Sequence, residues 1–247
     1  MKNIIKKIIA FTGYTVTKVK AHNPQEEKQI TRENFFDLYF SNVDTDNFFF
    51  IQVGANDGKT NDPIYPYVIK YKLSGIAVEP QPDVFELLQE TYKNNNNVVC
   101  MNAAISKITG TKPFYLVKES FKTNENFKRV TGIASFNKKV LRRTLKNKIP
   151  KYSNVDDYIQ ESLLNSFSLD DLIKNHDIKK IDMIQIDCEG YDYEIIKTIN
   201  FDKFLPSIIN FESNYLSDKD RKECEGMLES QGYRWFRYGG DTCAYKI

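Results

Sequence analysis

The stretch Phe48-Phe49-Phe50-Ile51-Gln52-Val53-Gly54-Ala55-Asn56-Asp57-Gly58 constrains this chain more than any other. A nearly continuous apolar run that stops abruptly at a Gly-x-x-x-Gly turn is the pattern of a buried parallel strand delivering a backbone loop to a ligand. A dinucleotide fingerprint needs glycine at the middle of such a loop so that the backbone can approach a pyrophosphate. Here that place is Asn56, followed by the anionic Asp57. A phosphate would be repelled, whereas a cationic ligand carrying its own amino and carboxylate groups would not, and the turn offers backbone N–H groups to that carboxylate. The alternative is a plain strand-to-helix turn.

A second short apolar run, Gly75-Ile76-Ala77-Val78, ends in Glu79-Pro80, and Glu79 lies 21 residues after Gly58. That is the spacing at which an acidic side chain reaches a ribose diol in nucleoside-binding βαβ units. Pro82 and Asp83 then open a helix whose apolar positions 84, 85, 88 and 92 share one face. Further candidate strands are Val98–Asn102, Lys112–Val117, Ile181–Asp187 and Ser207–Glu212, and a helix start is expected at Asn61-Asp62-Pro63.

With these motifs in view, the chain resembles the FkbM family of S-adenosylmethionine-dependent methyltransferases. The resemblance rests on Val-Gly-Ala-Asn-Asp-Gly at 53–58, Glu79-Pro80-x-Pro82, Asn102-Ala103-Ala104, Ser168-Leu169-Asp170-Asp171-Leu172 and Ile186-Asp187-x-Glu189-Gly190. It implies an α/β, Rossmann-like class I methyltransferase fold with a seven-stranded, mostly parallel sheet ending in an antiparallel hairpin. It also implies S-adenosylmethionine as cofactor and O-methylation of a sugar or a sugar-bearing product. The expected cofactor-binding residues are Gly54, Ala55, Asn56, Asp57, Gly58, Glu79, Pro80, Ala103 and Asp187, with the adenine near Ala103. The chain departs from the common family pattern at Gln52, Gln185 and Tyr191-Asp192.

Methyl transfer to a hydroxyl needs an in-line approach and removal of the hydroxyl proton, so a carboxylate base or a bound cation must sit beside the acceptor oxygen. Asp187, Glu189 and Glu212 stand at the carboxyl ends of predicted strands, where open α/β sheets bind ligands, and are the candidate catalytic residues. Asp187, Glu212 and Asn214 supply hard oxygen ligands of the type that suit magnesium, an arrangement similar to that of catechol O-methyltransferase. The structural alternative has Asp187 capping the next helix and Glu212 pairing with a cation. With His22 and His176 the two histidines of the chain, a histidine-based metal site or a Ser/His/Asp triad is not expected.

A chain of 247 residues, 41% hydrophobic and 28% charged, fits one α/β domain with an elaboration. Residues 1–41 are expected as a helical extension and 42–247 as the catalytic domain, with a basic insertion at about 118–165. The net charge of +2 hides an uneven distribution: residues 118–151 hold eleven Lys or Arg against two Glu. Readings of that segment are a solvated face, attraction of a phosphate-bearing glycan or small-molecule acceptor, and contact with anionic lipid. The recognised stacking pattern of aromatics is missing, so no nucleic acid partner is expected. The N-terminal Ile4/Ile8 and Ile5/Ile9 stripe beside lysines suits either a membrane-surface helix or packing against the domain or a second subunit in a homo-oligomer. Cys100, Cys188, Cys224 and Cys243 show no CxxC spacing and read as free thiols of a reducing, cytoplasmic compartment. Two readings compete with sugar O-methylation: an N or carboxyl acceptor, and a cofactor-binding scaffold without turnover.

Overall fold

The computed structural model describes residues 31–122, 133–146 and 148–246. The expected reading of residues 1–30, including the membrane-facing stripe, lies outside the described residues. The first described helix, α1 (Arg32–Phe40), starts where the Thr31 hydroxyl accepts from the Asn34 N–H at 3.2 Å.

Seven strands form the main sheet: β1 (Phe49–Val53), β2 (Ser74–Val78), β3 (Val98–Met101), β8 (Met183–Ile186), β9 (Ile208–Glu212), β10 (Tyr233–Tyr238) and β11 (Asp241–Lys246). Their order is β10-β11-β9-β8-β1-β2-β3, parallel except for β11, which runs against both β9 and β10. The reversal of strand order beside β1 opens a crevice at the strand carboxyl ends, so the glycine loop and Asp187 meet there. Helices α2 (Tyr65–Tyr71) and α3 (Pro82–Tyr92) cover one face together with α1. On that face Phe35, Phe36, Tyr39 and Phe40 of α1 pack against Phe48, Phe50, Tyr67 and Tyr245. The opposite face carries Ile51, Val53, Ile184, Ile186, Ile209 and Phe211 under α6 (Leu169–Asn175), α7 (Asp192–Ile196) and α8 (Asp218–Ser230).

One row interrupts the apolar α1 face. Gln52, Gln185 and Asn210 are paired in register across β1, β8 and β9. The Asn210 amide donates to Gln185 Oε1 at 2.9 Å and to Asp241 Oδ2 at 3.4 Å, and Arg32 Nη1 donates to that same Asp241 oxygen at 2.7 Å. Gln52 Nε2 donates to Asp62 Oδ2 at 2.8 Å. This last bond explains a shift from expectation. Asp62 Oδ1 accepts from Ile64 and Tyr65 as a cap would, but α2 begins at Tyr65, and Pro66 rather than Pro63 occupies its first turn.

The basic insertion expected at about 118–165 carries strands and helices over its described part. A four-stranded second sheet, β4-β7-β5-β6, is built from β4 (Ala104–Ile105), β5 (Gly110–Val117), β6 (Ala134–Ser135) and β7 (Ile159–Phe167). Strands β5 and β7 pair antiparallel from Gly110↔Ser166 to Val117↔Ile159. Between them lie the short α4 (Glu119–Lys122) and the basic helix α5 (Lys138–Lys146), whose Leu141 and Leu145 enter a small core with Val117, Ile133 and Ile159. The capping box at Ser168 forms by half: Ser168 Oγ accepts from the Asp171 N–H at 3.1 Å. The Asp171 carboxylate takes the Ser168 and Thr109 hydroxyls instead of the Ser168 N–H, which donates to Thr109 Oγ1.

Candidate active site

Gly54 is where the chain leaves β1, with φ +77°, and a Cβ there would lie 1.9 Å from the Asp187 carbonyl oxygen. Only glycine lets the β1 and β8 exits approach this closely. Gly58, at φ +70°, lies similarly against Leu88 and Tyr92 of α3.

The loop differs from expectation in its donors, because its amides are already used. The N–H groups of Gly54 and Ala55 donate to Val78 O, that of Gly58 to Ala55 O, that of Asn56 to Glu79 Oε2 and that of Asp57 to Asn56 Oδ1. Asp57 turns its carboxylate to Lys59 N, Thr60 N and Thr60 Oγ1. These bonds outweigh the effect of burial and hold it below the usual carboxylate range. Both residues shape the loop, and Asn56 is exposed.

Glu79 has a structural task in addition to the one expected. It is 3% exposed and accepts from Asn56 N and Gln81 N, both at 2.9 Å. Burial pushes it to about 7 against those hydrogen bonds. Asn102 Nδ2 fixes the following turn by donating to Glu79 O and Pro80 O.

Beside this loop opens a narrow cleft, lined by Gly54, Pro80, Ala103 and Cys188 and walled by Phe114, Phe136 and Tyr191. Pro80, Ala103 and Gly54 are thus brought together at one cleft. The aromatic wall was not anticipated. Phe114 and Phe136 are 4.8 Å apart, and Phe136 and Tyr191 5.0 Å, so one wall comes from the second sheet.

At the ends of β8 and β9 the carboxylates gather. Asp187, solvent-accessible on one side although protein encloses the others, stands beside Glu212, and each feels the other's charge. Burial, followed by the charge of Asp241, raises Asp187 to about 6. Burial again, then Asp187, Glu189, Asp192 and Asp241, drives Glu212 far above the carboxylate range. Glu212 is therefore the partner that keeps the proton, and Asp187 the one that ionises first. Glu189 is raised to about 7 by burial and by Asp187, with Lys148 opposing. It sits at φ +50°, a left-handed conformation that costs a non-glycine residue about 1–2 kcal/mol. Glu189 Oε2 and Glu212 Oε2 are buried without a hydrogen-bond partner. Strain and orphaned acceptors at one place mark a site arranged for something other than stability.

Asp192 is the member that the motif reading missed. It is fully buried, and its carboxylate accepts from Cys188 N, Gly190 N and Glu212 N at 3.2–3.4 Å, stitching the β8 exit to the end of β9. The helix cap considered for Asp187 does not form: α7 starts at Asp192 behind Tyr191, with no side-chain cap hydrogen bond. The position of Asp192 three residues after Glu189, ahead of an apolar run, was the available signal.

Of the residues expected to hold magnesium, Asp187 and Glu212 stand at neighbouring strand ends, and Asn214 is exposed with its amide over Gly240. Among the described residues, no three His, Cys, Asp or Glu side chains are arranged to hold a metal ion. The four cysteines are free, with Cys224 and Cys243 buried and Cys100 and Cys188 half-buried. Among the described residues no helix is long and apolar enough to cross a membrane.

Compared with known proteins, the chain matches no curated sequence. It is similar in structure to the methyltransferase FkbM of Methylobacillus flagellatus KT, with a TM-score of 0.52 and 14% identity over 89% of this chain. The match covers 48% of that protein, so this chain spans about half its length. The fibrillarin pre-rRNA processing protein of Methanococcus jannaschii aligns at a TM-score of 0.39 and 15% identity over 81% of this chain and 66% of its own, too slight a likeness to argue from. The architecture is thus the Rossmann-like class I methyltransferase fold. The Methyltransferase FkbM domain family matches residues 52–235, which include the glycine loop, the cleft and the carboxylates, and this chain belongs to that family.

Proposed function

We propose that the chain is an S-adenosylmethionine-dependent O-methyltransferase acting on a hydroxyl of a sugar-bearing acceptor. The observation that carries this reading is the gathering of Asp187, Glu212 and strained Glu189 at the ends of β8 and β9, beside an apolar cleft. The residues present fit the cofactor. The apolar cleft lined by Pro80, Ala103 and Phe136 suits a purine, and the carboxylate of Asp187, next in the chain to cleft residue Cys188, suits the cationic sulfonium and amino groups. When bound there, the cofactor supplies an electrophilic methyl group.

The chain's own residues then have separate tasks. Phe114, Phe136 and Tyr191 keep water from the cleft. Asp192 fixes the separation of the two strand ends. Glu212, kept protonated by its buried, anionic surroundings, stands beside Asp187, so that the ionised Asp187 would be the group to take the proton of an acceptor hydroxyl.

Calorimetric titration of S-adenosylhomocysteine, followed by methyl transfer to a panel of glycosides in the wild type and in Asp187→Asn, tests the reading. Binding kept in both, with turnover lost in the variant by about 10²-fold or more, is the expected result. No binding in the wild type would overturn the proposal, and undiminished turnover in the variant would remove Asp187 from the mechanism.

A further inference from the structure

The cations of the insertion are not distributed evenly around α5. Positions 139, 143 and 146 are spaced i, i+4, i+7, so Lys139, Arg143 and Lys146 form one stripe along the nine-residue helix, and all three are exposed. Lys138 and Arg142 lie to the far side of that stripe, where both pair with Asp156 at 3.4 and 3.2 Å. Among the described residues no carboxylate pairs with the stripe itself.

The near side of the stripe is fixed to the carboxylate site. Arg143 Nη2 donates to Tyr215 O at 2.9 Å and its guanidinium lies 5.8 Å from the Tyr215 ring, three residues beyond Glu212. Val140, one turn before Thr144 on the same flank, packs 3.4 Å from where a Gly190 Cβ would be, directly after Glu189. The strand ends are therefore anionic inside and bordered by a cationic rail outside. An acceptor whose hydroxyl reaches Asp187 extends along α5.

We propose that the acceptor carries a phosphoryl group, and that Lys139, Arg143 and Lys146 bind it outside the methyl-transfer site. This rests on the hydroxyl-acceptor reading and adds the class of acceptor. Three cations spread over two helical turns, one of them a guanidinium, match the several oxygens and the double charge of a phosphate or diphosphate. The group belongs to a soluble acceptor rather than to a membrane surface. A surface-seeking helix must bury an apolar face in lipid, and here Leu141 and Leu145, each 1% exposed, are committed to the protein's own core.

The test is a titration of the isotopically labelled full chain with inorganic pyrophosphate, followed by amide chemical shifts. The variants are Lys139→Ser/Arg143→Ser/Lys146→Ser and, keeping the Tyr215 contact, Lys139→Ser/Lys146→Ser. Saturable shifts at 139–146 and at Tyr215, weakened about tenfold in the triple variant as expected for a few exposed ion pairs, support the assignment. Absence of saturable shifts there, or equal affinity in the triple and double variants and the wild type, overturns it. A vesicle arm compares phosphatidylcholine with and without phosphatidylglycerol. Binding to the anionic vesicles without binding to pyrophosphate also overturns it. S-adenosylhomocysteine affinity, read in parallel, should be the same in all three proteins. Its absence would sink the methyltransferase reading while leaving the pyrophosphate result standing on its own.

Discussion

Gly54→Ala should damage the protein more than any other single-methyl addition near the site, and the structure says by how much. Two costs arise. A residue with a Cβ at φ +77° pays about 1–2 kcal/mol for the left-handed conformation. The new methyl also lies 1.9 Å from Asp187 O and 2.9 Å from Asp187 C, both backbone atoms that cannot rotate away. Relief requires the β1 and β8 exits to separate by more than 1 Å. That breaks the Asp187 N→Val53 O hydrogen bond of 2.9 Å, worth about 1 kcal/mol. The total is on the order of 3 kcal/mol, or a fall in Tm of roughly 6–12 °C for a chain of this size. Displacing Asp187 by an ångström should cost about 10²-fold in turnover besides. Gly239→Ala is the control, since Gly239 has φ +56° with open space around it and isolates the conformational cost. Urea denaturation of both variants, with S-adenosylhomocysteine titration, gives the answer. If Gly54→Ala loses no more stability than Gly239→Ala and binds as the wild type does, the close-approach argument is wrong.

Two further expectations concern Glu189. Glu189→Gly relieves the left-handed backbone and removes an unpartnered buried oxygen, so stability measured by urea should rise by about 1 kcal/mol while methyl transfer falls. Because the folded protein holds Glu189 at about 7, above its unfolded value near 4.5, the folded state binds more protons between those values. Stability therefore declines as pH rises from about 4.5 to 7, and Glu189→Gln should flatten the decline by on the order of 2 kcal/mol, discounted for the residue's partial contact with water. An unchanged slope in denaturation curves collected across that range would contradict the raised value.

The parts legible in sequence were those written in local pattern. The run 48–58 announced β1 and its glycine exit, Pro82-Asp83 announced α3, and Asp187 and Glu212 stood at strand ends because alternation placed them there. The second sheet was not legible, since β5 and β7 pair across some forty residues and neither Gln160-Glu161-Ser162 nor Asn165-Ser166 carries the apolar alternation of a strand. What makes β7 a strand is its partner. The same limit hid Phe114 and Phe136, which became cleft residues only when the second sheet folded over Pro80 and Ala103. Asp57 and Glu79 looked like ligand contacts because the spacing of an acid says nothing of which N–H groups surround it. Their carboxylates hold the loop as well, a task that the spacing did not show.

The buried amide row has a consequence for how the chain selects its own topology. The strands Phe-Phe-Ile-Gln-Val, Met-Ile-Gln-Ile and Ile-Ile-Asn-Phe-Glu are nearly interchangeable apolar segments, each carrying one amide. A slip of one residue would turn Gln185 or Asn210 into the Ile-rich opposite face, with no donor or acceptor to meet it, and would pull Asn210 away from Asp241. The three amides thus act as alignment marks, making the correct pairing of otherwise ambiguous strands the one in which all three stand abreast.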